Sequence, residues 1–244
     1  MNRLVKAEAY RLKRHLFFLV ACSLACGFFP VINSINVLKE DLTTQLGSSG
    51  IIIMAVMMLF PPIFGGITGG LYDEGKLGLY EIMAGNKTSA IILSKILTDG
   101  MLFLVLTLIS ATGYYVIAGI CHGVGSLDHM AVRALLIILT LAHVAFCSVL
   151  MVLFIQRLKL AAAMCFLRFW IVDLTVFPFL MWLTGSVLGW KELALHFSYM
   201  SLTNQLMILV SEPMHGMIAA HVLIGFAAEF ALWYFLITWK RRCH

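Results

Sequence analysis

Six apolar stretches separated by short polar segments dominate the hydropathy pattern of this 244-residue chain. Each is about twenty residues or longer, and a helix of that length, rising about 1.5 Å per residue, crosses a hydrocarbon core of about 30 Å. The pattern therefore predicts an all-α membrane protein, with six transmembrane helices in a single domain of residues 1–244. The predicted spans are Leu16–Leu38, Ile51–Leu71, Ala90–Ile120, Val132–Ile155, Ala161–Leu183 and Gly216–Trp239.

Basic residues collect in alternate loops. Because cytoplasmic loops of membrane proteins carry the excess of Lys and Arg, this alternation predicts that both termini are cytoplasmic. Only Lys39, Arg133 and Lys191 fall in the other set of loops, and an odd number of spans would break the pattern. The basic residues assigned to the cytoplasmic side are Arg3, Lys6, Arg11, Lys13, Arg14, Lys76, Lys87, Lys95, Arg157, Lys159, Arg168, Lys240, Arg241 and Arg242.

The composition supports a membrane protein. Hydrophobic residues make up 61% of the chain and charged residues only 12%, which leaves too little polar surface for a soluble domain. The net charge of +5 comes from residues that flank the spans, so it predicts contact with anionic lipid headgroups and no nucleic-acid partner. The six cysteines are irregularly spaced and predict no disulfide framework.

The N-terminal segment, residues 1–15, is amphipathic. Apolar residues such as Leu4 and Leu12 project to one side of a 3.6-residue helix, and basic residues such as Lys6 and Lys13 project to the other. This pattern predicts an interfacial helix that leads into the first span. The alternative is a basic flexible tail.

The cytoplasmic loop between the second and third spans, residues 72–89, predicts a short polar helix from Asp73 to Met83. Gly85 and Asn86 end this helix, and the third span begins after them. Such an elbow is either a docking surface for a cytoplasmic partner or a plain connector. The residues predicted to make the docking contacts are Asp73, Glu74, Lys76, Leu79, Tyr80, Glu81 and Met83.

The second span contains a helix-breaking Pro61-Pro62 pair followed by closely spaced glycines, including Gly65 and Gly69. Pro interrupts the backbone hydrogen bonds of a helix, and small residues four apart allow close helix contact. The pattern predicts a bent helix with a smooth face. It fits either a moving gate helix or tight static packing.

Ionisable side chains also lie inside the predicted spans, where each charge costs about 2.5–3.5 kcal/mol. Asp99 follows Lys95 by one turn, which predicts a local ion pair. Asp173 and Glu229 lie nearer mid-span, with no basic residue one turn away, although Arg168 could reach Asp173 through water. Two interpretations of Asp173 and Glu229 remain: pairing between helices, or a place on a translocation path.

Two histidines, His143 and His221, are interpreted as packing or hydrogen-bonding groups. We predict no metal site, on the ground that neither histidine has a second ligand four residues away or in a tight pair. We also predict no catalytic residue and no enzyme activity, because no nucleophile–base or metal-hydrolase motif is found. The Gly70–Leu77 stretch imitates a nucleotide-binding loop but has Leu77 where magnesium binding needs Ser or Thr.

The whole layout resembles the transmembrane permease subunits of ABC-2 type transporters. The resemblance rests on the amphipathic N-terminal helix, on six spans, and on a first cytoplasmic loop with Glu74, Gly78, the Ala84–Asn86 tripeptide and Lys95. The family commonly has Thr after the glycine and a basic residue near the start of the next helix. This chain has Leu79 and Ser89 at those positions.

The resemblance implies a half-transporter. A second permease subunit, a copy of this chain, would complete the pathway, and two separate ABC ATPase subunits would grip the elbow as a coupling helix. ATP and magnesium would then bind to those partners, and this chain would need no cofactor. The resemblance also implies short re-entrant outer helices in the segment 187–215, whose apolar runs are interrupted by Lys191, Glu212 and Pro213. Two additional spans are the alternative for that segment.

Small permeases of this kind are found in bacterial cell membranes and export, or give immunity to, amphipathic antimicrobial or cytolytic peptides. The 14 Met and 17 Phe residues would suit a pliable apolar cavity, although ordinary lipid contact and core packing are the favoured explanation for them. Export of drugs or lipids is the alternative within the family. A secondary transporter or channel that needs no ATPase is the alternative outside it.

Overall fold

The computed structural model describes residues 2–13, 16–17, 20–21, 85, 87–122, 130–155, 158–211 and 216–242. These residues are helical apart from short turns, and none of them forms a strand. The α-helices are α1 (Asn2–Lys13), α2 (Thr88–His122), α3 (Met130–Ile155), α4 (Leu158–Leu167), α5 (Phe177–Trp182), α6 (Lys191–Met200), α7 (Leu202–Ser211) and α8 (Gly216–Arg242). Two π-helical stretches, π1 (Arg168–Val176) and π2 (Leu183–Val187), flank α5.

Four helical stretches in the described part of the chain are long and apolar enough to cross a membrane. They coincide with the third to sixth predicted spans, so the membrane character and the all-helical class are confirmed. Nearly all of the first two predicted spans lies outside the described residues, and the count of six stays a prediction. The four stretches are Ser89–Leu106, Ala131–Ile155, Ala163–Val187 and Gly216–Lys240.

The N-terminal helix α1 packs against α2. Leu4 and Val5 are half-buried, whereas Lys6, Tyr10 and Lys13 are exposed. This division follows the predicted amphipathic pattern, with the apolar side turned toward the bundle.

Helix α3 is the centre of the described bundle. It packs between α2 and α8, and α4 and α7 complete its surroundings. Residues along its second half, from Val149 to Leu153, are almost fully buried, and they belong to an apolar core that includes residues of α2, α4, α7 and α8. The C-terminal end of α3 is closed by α8, where Lys240 Nζ donates to the Phe154 carbonyl at 2.6 Å. A cation at this position also complements the negative end of the helix dipole.

The stretch Ala163–Val187 and helix α8 bury far less of their surface than α3 does. Both carry large exposed apolar side chains, including Trp170 and Phe179 on the first and Ile224 and Phe235 on the second. Such faces are costly in water and suit contact with lipid chains. The predicted lipid covering therefore fits the described surface.

A break in the helical backbone separates α6 from α7. Ser201 has an extended backbone, with φ −71° and ψ 125°, and it separates two helices of 10 residues each. Each helix is only about 15 Å long, roughly half the thickness of a hydrocarbon core. Ser201 is a side-chain type favoured before a helix, and its carbonyl accepts the first hydrogen bond of α7, from Gln205 at 2.9 Å.

Gly100 lies where α2 meets α3, and a side chain there has no room. A Cβ at this position would stand 2.5 Å from Cδ1 of Phe146. We expect Gly100→Ala to lower the free energy of unfolding by about 1–3 kcal/mol, because the aromatic ring must move. Thermal unfolding of the purified protein in mild detergent would measure this.

The matched control for Gly100→Ala is Gly225→Ala in α8. A Cβ at Gly225 would lie 4.0 Å from His143 Cε1, an ordinary contact. Alanine is the better helix former, so this variant should be unchanged or slightly more stable. Equal midpoints of thermal unfolding for the two variants would show that the close contact between α2 and α3 does not limit stability.

Candidate functional site: an ionic cluster inside the bundle

Four ionisable side chains meet inside the helix bundle and form what we call the ionic cluster: His143, Arg168, Asp173 and Glu229. They come from α3, π1 and α8, so the cluster joins elements that are distant in sequence. Asp173 and His143 are buried, while the side chains of Arg168 and Glu229 are 15% and 19% exposed. Charges in such a place need close partners, because burial removes their hydration.

Arg168 and Asp173 are brought together by the π-helical backbone. They are five residues apart, and a π-helix bonds residues five apart, which places both side chains on one face. Nη1 of Arg168 donates directly to Oδ2 of Asp173. From sequence, contact was predicted only through water, because residues five apart do not share a face at the three- and four-residue spacing of an α-helix.

The same guanidinium also holds Glu229 on α8. Nη2 of Arg168 donates to Oε2 at 2.7 Å, and Nε donates to Oε1 at 3.2 Å, a two-pronged geometry. Trp233, one turn further along α8, donates from Nε1 to Oε1 at 3.4 Å. Glu229 is therefore held from π1 and from its own helix.

The remaining partner of Glu229 is His143. Its Nε2 lies 2.9 Å from Oε2, and a carboxylate can only accept, so Nε2 carries the hydrogen in this arrangement. The imidazole stacks on Phe226, with ring centroids 5.4 Å apart. Its other nitrogen, Nδ1, is buried and has no hydrogen-bond partner among the described residues.

Asp173 also binds the first turn of α7. Its Oδ1 accepts from the backbone N–H of Leu202 at 2.7 Å and from the Ser201 hydroxyl at 3.4 Å. The first N–H groups of a helix have no partner within it, and the helix dipole favours a negative charge at this end. Asp173 thus stabilises α7 in addition to pairing with Arg168.

The formal charges of the ionic cluster do not balance by themselves. Asp173 and Glu229 contribute two negative charges, and Arg168 contributes one positive charge. With a neutral His143, one negative charge is left over in a buried place. Buried charges are costly, so the cluster favours one further positive charge, either a proton or a bound cation.

A small cavity adjoins the cluster, with room for about one water molecule. Its lining includes Cys147 and Cys165 beside His143, Arg168 and Glu229. One ligand atom each from His143, Cys147 and Glu229 lies within 4.8 Å of the other two, so these residues could hold a metal ion. Cys147 was not among the residues predicted from sequence, although it follows His143 by four residues and so lies on the same helix face.

The other predicted site residues have different outcomes. Lys95 and Asp99 are both buried in α2, and the ion pair predicted for them stays a prediction. His221 does have a tight partner, since its Nε2 lies 2.9 Å from Nδ1 of His196. The gate residues Pro61, Pro62, Gly65 and Gly69 and the docking residues Asp73, Glu74, Lys76, Leu79, Tyr80, Glu81 and Met83 lie outside the described residues.

The structure brings together the two residues predicted for either interhelical pairing or a translocation path, Asp173 and Glu229. Both contact the cation Arg168, which pairs with Glu229 across two helices but belongs to the same π-helical stretch as Asp173. A role on a translocation path stays a prediction. No protein-family model, no curated protein and no solved structure shows a detectable match to this chain.

Proposed function

We propose that this protein is the transmembrane subunit of an ATP-binding-cassette exporter, with the ATPase on separate subunits. A second copy of the chain would complete the translocation pathway in a bacterial cell membrane. Amphipathic peptides are the proposed cargo. The chain itself would bind no nucleotide and would act by changing conformation when its partners hydrolyse ATP.

The observation that carries the proposal is the position of the α6–α7 pair. Its break meets Asp173, which is ten residues after the start of the stretch Ala163–Val187 and therefore near mid-span. The far end of α7 meets the start of α3, where Arg133 Nη1 donates to the Leu209 carbonyl at 2.8 Å. These contacts support a hairpin that enters the outer half of the membrane and returns, as the resemblance to ABC-2 permeases implies.

Two further contacts tie this pair to the bundle. His196 of α6 contacts His221 near the start of α8, and the Thr140 hydroxyl of α3 donates to Gln205 of α7 at 3.4 Å. The α6–α7 pair is also apolar enough to lie in a membrane, since Leu202 and Leu206 belong to the larger cluster of buried apolar residues. A short helical pair fixed from three sides suits an outer plug that opens only when its neighbours move.

The elbow of residues 72–89 provides the test of the proposal. Purification of the tagged protein from its native membrane should yield an ABC ATPase, and the complex reconstituted in liposomes should hydrolyse MgATP faster when an amphipathic peptide is added. We expect the double variant Glu74→Ala/Glu81→Ala to lower this stimulated hydrolysis at least tenfold, because the gripped surface loses its charges. Peptide-stimulated ATPase activity is the measurement.

The matched control is Glu192→Ala, which removes an exposed acidic residue from α6. It should leave stimulated hydrolysis unchanged, because Glu192 lies at the predicted outer side. Undiminished hydrolysis in the elbow variant would contradict the coupling role. Peptide transport by the protein alone, without an ATPase, would contradict the proposal as a whole.

A gradient-driven transporter is the second candidate, and the ionic cluster is the observation that favours it. Ion-coupled carriers bind their coupling ion near the bilayer midplane, at breaks in helices. His143 and Glu229 lie near the midpoints of α3 and α8, and Asp173 lies at the α6–α7 break. Uptake driven by an imposed proton gradient in ATPase-free liposomes, and lost in Glu229→Gln, would establish this candidate instead.

A further inference from the structure

We propose that His143, Cys147 and Glu229 form a binding site for a divalent cation of the zinc class. The ion would join the middle of α3 to the middle of α8. This departs from the expectation of no metal that came from sequence. It does not depend on the proposed transport function.

The three ligand atoms are already gathered. His143 and Cys147 are four residues apart on α3 and face the same way, and Glu229 approaches from α8. Imidazole nitrogen, thiolate sulfur and carboxylate oxygen are the donors that zinc accepts. A tetrahedral ion with bonds of about 2.0–2.1 Å holds nitrogen and oxygen about 3.3 Å apart. The present distance from His143 Nε2 to Glu229 Oε2 is 2.9 Å, so a small separation suffices.

The sulfur has further to move. One ligand atom each from Cys147, His143 and Glu229 lies within 4.8 Å of the other two, and a bound ion draws sulfur and nitrogen to about 3.5 Å. Rotation about the Cα–Cβ bond of one cysteine moves its sulfur by more than this difference. The adjoining cavity has room for one water as the fourth ligand.

The charge count supports a divalent ion. Arg168 lies against Glu229, but its positive charge is matched by Asp173, so the cluster still carries one excess negative charge. Binding of the ion releases the thiol proton of Cys147, which adds a second negative charge. The ion's two positive charges then bring the site to zero, which removes the cost of a buried net charge.

The imidazole of His143 also permits replacement of its Nε2 hydrogen by a metal ion. The ion takes the place of the hydrogen that now joins Nε2 of His143 to Glu229, and this hydrogen moves to Nδ1. Nδ1 has no hydrogen-bond partner among the described residues, so nothing there holds the ring in its present tautomer. Stacking on Phe226 keeps the ring plane in place during the exchange.

Cobalt provides the test, since Co²⁺ replaces zinc and shows a strong absorption band only when a thiolate binds it. The full-length protein in detergent should bind about one equivalent of Co²⁺ with this band, and Zn²⁺ should displace it. Cys147→Ser should lose the band and that equivalent, and His143→Gln should weaken binding at least tenfold. The control is Cys165→Ser, which alters the same cavity but leaves the three ligands intact, and it should retain the band.

A second measurement needs no variant and so does not depend on folding of the mutants. Zn²⁺ should slow alkylation of Cys147 in the wild-type protein, read by mass spectrometry, while Cys165 reacts at an unchanged rate. Equal thiolate–cobalt bands in the wild type and Cys147→Ser would overturn the proposal. Alkylation of Cys147 at the same rate with and without Zn²⁺ would also overturn it.

Discussion

Replacing Arg168 with methionine is expected to lower the free energy of unfolding by about 3–5 kcal/mol. Arg168 is the shared partner of Asp173 and Glu229, so its loss leaves two carboxylates buried without their cation. Methionine keeps most of the side-chain volume, and the effect is therefore one of charge. Unfolding in mild detergent, followed by tryptophan fluorescence, would measure it.

Lys191→Met is the matched control, since it removes an exposed cation at the start of α6. It should change stability by less than about 0.5 kcal/mol. A variant that also carries Asp173→Asn and Glu229→Gln should recover part of the stability lost by Arg168→Met, because no uncompensated charge then remains. If Arg168→Met were as stable as Lys191→Met, the ion pairs would contribute nothing to the fold.

Replacing Asp173 with alanine is expected to open the first turn of α7. The Leu202 N–H would lose a charged acceptor at 2.7 Å, a bond of about 1.5–3 kcal/mol. Amide exchange in the first turn of α7 should rise by about tenfold to a hundredfold, since each 1.4 kcal/mol is a factor of ten. Hydrogen–deuterium exchange with peptide mapping would measure this.

Asp173→Asn provides the comparison, because its amide oxygen can still accept from Leu202. It should raise exchange in α7 by less than the alanine variant does. The second half of α2 is far from this contact in sequence and should exchange at the wild-type rate in both variants. Wild-type exchange in α7 of the alanine variant would show that the break between α6 and α7 is held by packing alone.

Much of the described fold could be predicted from sequence because the lipid environment imposes a simple rule. A stretch of about twenty apolar residues in a membrane has to be helical, since its backbone groups find no water. The predicted span Val132–Ile155 therefore differs from α3 by only two residues at its start, and Gly216 begins both the predicted span and α8. The breaks around Lys191 and Pro213 likewise marked the segment that contains α6 and α7.

The ionic cluster could be predicted only in part. Charges in apolar spans identified Asp173 and Glu229 as residues that need partners, but not which partners they have. The Arg168–Asp173 contact depends on a π-helical stretch. A prediction that uses the three- and four-residue spacing of an α-helix cannot identify a π-helix in Arg168–Val176. His143 and Glu229 meet across 86 residues, which one sequence cannot indicate.

Cys147 was a different kind of omission. The signal was present, because a histidine and a cysteine four residues apart on a helix share a face. The histidine was interpreted as a packing or hydrogen-bonding group, and the cysteine was given no chemical role. The carboxylate that completes the group comes from another helix, so the spacing alone would have indicated only two of the three donors.

The double engagement of Arg168 has a mechanical consequence. One guanidinium connects the carboxylate that holds α7 with the carboxylate of α8, and both connections are short and directional. A shift of α8 by a few ångströms would therefore pull on α7, unless an ion pair breaks first. Helices α7 and α8 are therefore coupled through Arg168, and the strength of its ion pairs sets how far one helix can move without the other.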